Sequence, residues 1–241
     1  MAVVQSNYIP WKGYFDIISQ ADTFVFLDTV QFTKNDWRNR NKIKTANGPL
    51  WLTVPVLATG QFGQPIKDVA IRTTTNWQQK HWKSIQQSYR NAPYFDQYRE
   101  YFEKLYCNNT WENLSLLNTT LIQDIARMLE IETTFVFADQ IEGVEEPAKN
   151  AASARTERLI SLLTVLGAKR YLSGPSAADY IEPDLFASAG IALTYMDYSG
   201  YPEYPQQHGA FDHQLSVIDV LFHCGPEAPD HVWRWRKAKR L

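Results

Sequence analysis

Thr23-Phe-Val-Phe-Leu27-Asp28 decides how the rest of the chain is read. Residues 23–27 are a continuous β-branched and aromatic run, the pattern of a parallel strand buried on both faces. Upstream, residues 2–4 form a second short apolar strand, and residues 5–12 are a loop holding Asn7 and Pro10. Residues 13–20 carry Tyr14, Phe15, Ile17 and Ile18 at helical spacing. Strand, helix and strand make a βαβ-like unit. Asp28 then falls at a strand's carboxyl end, where open α/β sheets place their ligands.

Downstream, residues 41–45 and 50–56 flank Asn47-Gly48, a step that suits a tight hairpin. After a loop at 57–65 holding Gly60 and Gly63, residues 67–72 alternate through Val69 and Ile71 as a further strand. A helical block follows. Asn76 with Gln79 forms a capping box, residues 94–106 continue as helix, and Asn109 with Glu112 caps a third helix. In that helix Leu114, Leu117, Leu121, Ile125, Met128 and Leu129 keep helical periodicity. Residues 133–137 return to strand, and 139–150 form an acidic loop. Ser153 caps a helix that Gly167 stops, residues 170–172 and 191–196 are strands, and 215–222 form a short helix capped from His213 or Gln214. The alternation predicts an α/β fold with a mixed sheet and an N-terminal βαβ-like unit. Residues 1–241 are expected to form one domain, with a helical insertion at about 76–130.

Composition narrows the function classes. The 241 residues carry 24 Lys and Arg against 26 Asp and Glu, a net charge of −2, so no nucleic-acid-wrapping protein is indicated. The 8 Trp, 13 Tyr and 12 Phe exclude a disordered chain. Two cysteines, Cys107 and Cys224, make neither a disulfide scaffold nor a metal motif. Neither a signal peptide nor a membrane span is visible, so the expectation is a soluble, cytoplasmic protein. The five histidines include no HExxH pattern, and neither a metal nor a cofactor is expected.

Three groups of residues could carry chemistry. The first lies around the opening loop: Gln5, Tyr8, Trp11, Gly13 and Tyr14, all expected to bind substrate. A loop leading into a helix N-terminus gathers N–H groups that favour anions, and Gly13 admits a close approach. There is no Gly-rich dinucleotide or Walker-type loop. The alternative is that Tyr8, Trp11 and Tyr14 pack the first strand.

The second group runs over residues 28–44, with Asp28, Gln31, Lys34, Asp36, Arg38, Arg40, Asn41, Lys42 and Lys44 around Phe32 and Trp37. Asp28, Lys34 and Arg40 are expected to be catalytic, and Gln31 and Asn41 to bind substrate. Arg40 can fork onto a carboxylate or phosphate, and Lys34 can offset developing negative charge. The alternative is a solvated basic hairpin edge.

In the third group, Tyr171, Ser173 and Gly174 follow a strand, joined by Tyr204, Gln206 and Asp219 as binding residues. Asp219 either accepts a hydroxyl hydrogen bond or braces a loop. Cys224 beside His223 raises a thiol nucleophile, although adjacent residues seldom face each other. Residues 233–240 alternate aromatics and cations and read as a solvated tail, with RNA or membrane-surface binding as the alternative.

The stretches Pro10-x-x-Gly13-Tyr14-Phe15, Trp37-Arg-Asn-Arg40-Asn41 and Ser216-x-x-Asp219-x-Leu-Phe222 resemble the WbqC-like family of bacterial surface-polysaccharide gene clusters. The resemblance implies a cytoplasmic enzyme modifying a sugar intermediate of O-antigen or capsule. A transferase acting on a nucleotide-linked amino sugar fits the polar residues Asp28, Lys34, Arg40 and Asn41, with Tyr8, Trp11 and Tyr14 stacking on sugar or base. Its partner would be a small sugar or nucleotide sugar. The opening also looks like that of nucleotidylyltransferase-type folds, but has Lys12 and Tyr14 where those carry paired histidines. Two other readings stay open: a non-catalytic sugar- or nucleotide-binding module, and an amide hydrolase or thiol enzyme using Cys224.

Overall fold

In the computed structural model, β1 (Ala2–Val4) and β2 (Thr23–Phe26) pair in parallel, Val3 beside Val25, with α1 (Lys12–Ser19) connecting them. The structure describes residues 1–58, 60, 62–145 and 153–238. The 57–65 loop, the acidic loop and the terminal tail are therefore followed only in part: residues 59, 61, 146–152 and 239–241 lie outside the described residues.

Five parallel strands form the main sheet, in the order β5 (Thr134–Phe137), β2, β1, β6 (Arg170–Ser173), β7 (Ala192–Tyr195). A separate antiparallel hairpin pairs β3 (Arg40–Thr45) with β4 (Gly48–Thr53), turning at Asn47-Gly48, and the other antiparallel pairs among the described residues are isolated bridges. The molecule is thus α/β, as the alternation predicts.

Strand side chains alternate between two cores. Phe24 and Phe26 join the larger one, where Phe26 stacks on Phe135 at 5.5 Å. Val3 and Val25 point to the smaller one, with Leu162, Leu163 and Phe186 of α5 (Ala154–Val165) and α6 (Pro183–Ser188). Burying each of these large apolar side chains contributes about 1.5–3 kcal/mol. That is why β2 reads as apolar throughout instead of alternating.

Between β4 and β5 come α2 (Trp77–Tyr89), α3 (Phe95–Cys107) and α4 (Leu114–Met128), whose apolar faces enter the larger core. α4 starts later than its sequence suggests: Asn113 caps it, Oδ1 accepting from the Leu116 N–H at 2.8 Å, and not Asn109. Residues 67–72 form no strand. Ile66–Asp68 is a 3-10 turn, and the backbone partners beyond it are scattered, with Ile71 bridged to Val56 and Ala70 to Asn113. The short helix near residue 218, α7 (Ile218–Cys224), begins after Ser216, whose hydroxyl accepts from the Ile218 N–H. The C-terminal segment is not a free tail up to α8 (Trp235–Ala238): Trp233 donates to the Leu129 carbonyl at 2.9 Å, and Arg236 grips the buried Asp16 carboxylate.

Candidate functional site

Counted within the main sheet alone, the strand order is 3-2-1-4-5. The chain leaves β1 toward β2 on one side and later returns to β6 on the other. Crevices for ligands form at such a reversal, beyond the carboxyl ends of the strands. Gln5, Ser6 and Asn7 leave β1 there, Asp28 and Thr29 leave β2, Gly174 leaves β6, and Tyr198 follows β7.

The loop from β1 to α1 is held rigidly. The Asp28 carboxylate accepts the Ser6 backbone N–H at 2.8 Å, the Ser6 hydroxyl at 2.7 Å and the Ser115 hydroxyl. Ile9 sits at φ +36, a left-handed conformation that a β-branched residue adopts only under constraint. Asn41 supplies that constraint, donating to the Ile9 carbonyl at 2.8 Å and to the Tyr8 carbonyl. Backbone strain of this kind collects at ligand clamps and active sites.

Arg38 brings positive charge to this edge. Its guanidinium donates to Asn7 Oδ1 at 2.7 Å and to Gln5 Oε1 at 3.0 Å, while the nearest carboxylate oxygen in contact, on Asp36, is 3.7 Å away. Neutral amides hold the fork in place, and Asp36 offsets part of its charge from 3.7 Å. Burial works against the Asp36 carboxylate, but the Thr33 hydroxyl, Arg38 and the Trp37 N–H together keep its pKa below the usual range. Tyr14 donates to the Gln5 carbonyl at 2.9 Å, and its pKa is driven well up by burial and by Asp28, so it stays a neutral hydroxyl. Arg158 of α5 donates to Thr29 at 3.2 Å on the same edge. Gly174 is open, a Cβ there meeting only the Tyr198 hydroxyl at 4.0 Å.

Of the residues singled out by sequence, Gln5, Tyr14, Asp28, Ser173 and Gly174 gather at this edge, with Trp11 packed edge-on against Tyr198 at 5.1 Å. Asp28 is positioned as a brace. Lys34 and Gln31 are exposed on the connecting loop. Arg40 lies over the Trp51 ring at 4.6 Å on the hairpin, and Asn41 is the buried clamp on Ile9. Tyr8 is wholly in the core, its hydroxyl bonded to His81 and Tyr106. Tyr171 stacks on Phe186 in the smaller core. Gly13 lies under the Trp11 indole, which a Cβ would meet at 2.2 Å, so it serves packing. Asn7 lies outside the candidate groups, and Arg38 belongs to the 28–44 group without an assigned role. The signal for Arg38 was its place one residue after Trp37 in the basic run, where it looks no different from Arg40.

Tyr204, Gln206 and Asp219 form a second, separate cluster. Asp219 accepts from Tyr204 at 2.8 Å, Gln206 at 2.9 Å and Tyr89 at 3.0 Å, and Lys44 donates to Gln206 Oε1 at 2.9 Å. Burial and the Asp219 charge push the pKa values of both tyrosines well up, so they remain donors. His223 and Cys224 do not form a thiol dyad. His223 Nε2 accepts from the Gln207 N–H at 3.1 Å, so Nδ1 carries the proton given to the Asp219 carbonyl. Cys224 is 5% exposed, and burial pushes its thiol up to about 12, the reverse of activation.

A cavity of about 680 Å³ opens at the opposite, amino-terminal edge, lined by Ser19, Gln20, Asp22 and Gly167 among others. The carboxyl ends of α1 and α5 converge there, while Lys169, Arg170 and Arg236 line the same cavity, so helix carbonyls and cations oppose one another. Among the described residues no group of three or more His, Cys, Asp or Glu could hold a metal ion, and no helix is long and apolar enough to cross a membrane.

Comparison with known proteins gives two matches. The profile of the WbqC-like protein family covers residues 5–231, which include every residue of the carboxyl-edge site. Rv1507c of Mycobacterium tuberculosis, described as an uncharacterized protein, is 40% identical over 232 residues, 96% of each chain. No solved structure matches. The chain belongs to the WbqC-like protein family.

Proposed function

We propose that the protein is a group transferase that modifies a nucleotide-linked sugar, an amino sugar in particular, during surface-polysaccharide assembly. On this reading the phosphates of the substrate occupy the carboxyl edge of the sheet. The observation carrying it is the Arg38 guanidinium, held by Gln5 and Asn7 at the sheet's reversal point and paired with Asp36 only at 3.7 Å. A planar fork that is positioned by neutral amides and only loosely ion-paired is suited to phosphoryl oxygens. Gly174 leaves room for the ligand, and Trp11 and Tyr198 offer ring surfaces for a sugar. Family membership supports the polysaccharide setting without defining the reaction. The transferred group and its acceptor remain parts of the proposal.

Calorimetry with uridine, thymidine and guanosine diphosphate sugars tests this reading. One of them should bind, and Arg38→Met should weaken that binding at least tenfold while the variant melts cooperatively. Mass spectrometry of the bound sugar incubated with acyl and aminoacyl donors then separates a transferase from a binding module. Undiminished binding by Arg38→Met would remove the basis of the assignment.

A further inference from the structure

Lys12 is 2% exposed, and none of its three ammonium N–H donors meets an acceptor. Its Nζ lies among ring faces, 4.9 Å from the Tyr201 centroid, 5.4 Å from Tyr204 and 5.3 Å from Phe211. Rings attract a cation but do not satisfy its donors, and a buried charge is normally paired with an anion. Two imidazoles pack on the same rings: His231 on Tyr204 at 5.4 Å and His213 on Phe211 at 4.6 Å. Each has an Nδ1 that is buried and without a partner. Three unsatisfied nitrogens in one aromatic chamber are more than packing explains.

We propose that this chamber is a second ligand site, taking a small carboxylate that bears a neighbouring hydroxyl or amino group. The carboxylate meets the Lys12 ammonium, and the neighbouring donor meets His231 Nδ1. His231 Nδ1 takes that donor in the tautomer whose proton sits on Nε2. Burial and the Lys12 charge lower the pKa of both histidines, so the imidazoles stay neutral and one cation faces the ligand. Burial lowers Lys12 to about 8, against the pull of Cys224, Asp219 and Glu203, so the amine is still mostly protonated at neutral pH. A single cation matches a monoanion better than a phosphate dianion. Phe211, His213 and His231 are the half-buried members of the chamber, and the ligand enters on their side. This site goes beyond the nucleotide-sugar reading and does not depend on it.

Saturation-transfer NMR on the full chain at matched ionic strength tests the site, with acetate, glycolate, glycine and inorganic phosphate as probes. Glycolate or glycine should give a signal at least threefold above acetate, and phosphate none. In Lys12→Met the carboxylate signals should fall at least fivefold, with circular dichroism reporting whether that variant is folded. Lys12→Arg, which keeps the charge but not the shape, guards against misfolding and should retain part of the acetate signal. Carboxylate signals that are absent in the wild type, or unchanged in folded Lys12→Met, would overturn the proposal. A phosphate signal equal to that of glycolate would overturn the monoanion assignment, and equal acetate and glycolate signals would overturn the role of His231.

Discussion

The Asp28 carboxylate binds Ser6 twice, once through the backbone N–H at 2.8 Å and once through the hydroxyl at 2.7 Å. It ties the first residues beyond β1 to the end of β2 and fixes the loop from which Gln5 and Asn7 reach Arg38. Removing it leaves the Ser6 N–H and hydroxyl buried without an acceptor. Asp28→Ala should therefore lose about 2–4 kcal/mol of stability, and Lys34→Ala, exposed on its loop, less than about 0.5 kcal/mol. Urea unfolding of the pair checks this, and equal losses would contradict the bracing role.

Gly13→Ala places a methyl group 2.2 Å from the Trp11 ring. The indole belongs to the rigid turn into α1 and has little freedom to retreat. Destabilisation of about 1–3 kcal/mol is expected, accompanied by a change in tryptophan fluorescence as the contact with Tyr198 opens. An unchanged spectrum together with unchanged stability would show that Trp11 moves freely.

Lys12→Met should raise stability at pH 7 by about 1–3 kcal/mol, because an apolar side chain fills the space of an unpaired buried ammonium. The folded pKa of Lys12, about 8, is below its ordinary 10.5, so between these values the unfolded chain binds the extra proton. Wild-type stability therefore gains from this group as pH rises through that window. The advantage of Lys12→Met should be largest below pH 8 and shrink toward pH 10.5. Asp219, Glu203, Cys224, His213 and His231 also face Lys12, so the difference between the two proteins is the quantity to follow.

His81 supplies the opposite end of the pH range. Burial lowers it to about 4 from its ordinary 6.5, against the pull of the Thr53 carbonyl, while its Nδ1 bonds the Tyr8 hydroxyl at 2.8 Å. The unfolded chain takes up the proton first, so this contribution is complete above pH 6.5 and is lost as pH falls to 4. About 3 kcal/mol should disappear across that interval. His81→Phe should show a shallower loss over the same range by denaturant titration, and an equal slope would assign the acid sensitivity elsewhere.

Much of the fold could be read along the chain, because period and punctuation are local. The apolar run at 23–27, the helical spacing before it and Asn47-Gly48 all depend on near neighbours. Residues 67–72 read as strand because Val69 and Ile71 alternate there, although their backbone partners come from separate segments: Ile71 bridges to Val56 while its N–H donates to the Glu112 carbonyl. The site was less legible. The basic run disperses in space: Lys42 pairs with Asp212, Lys44 turns to Gln206, Arg40 covers Trp51, and Arg38 alone meets Gln5 and Asn7. Tyr8 looked like a binding residue because the helices that enclose it arrive some seventy or more positions later, with His81 and Tyr106. The surroundings of Lys12 come from residues 201–231, out of reach of any spacing rule.

Trp11 stands edge-on to Tyr198 at 5.1 Å and to Tyr201 at 6.1 Å, so one indole is a common wall between the carboxyl edge and the Lys12 chamber. On the two proposals made above, ligands at the two sites would press on opposite sides of one rigid ring. Thermodynamic reciprocity then requires each ligand to change the affinity of its counterpart by the same factor. The proposed sites would then be coupled in both directions, and which one fills first would depend on each ligand's concentration relative to its dissociation constant.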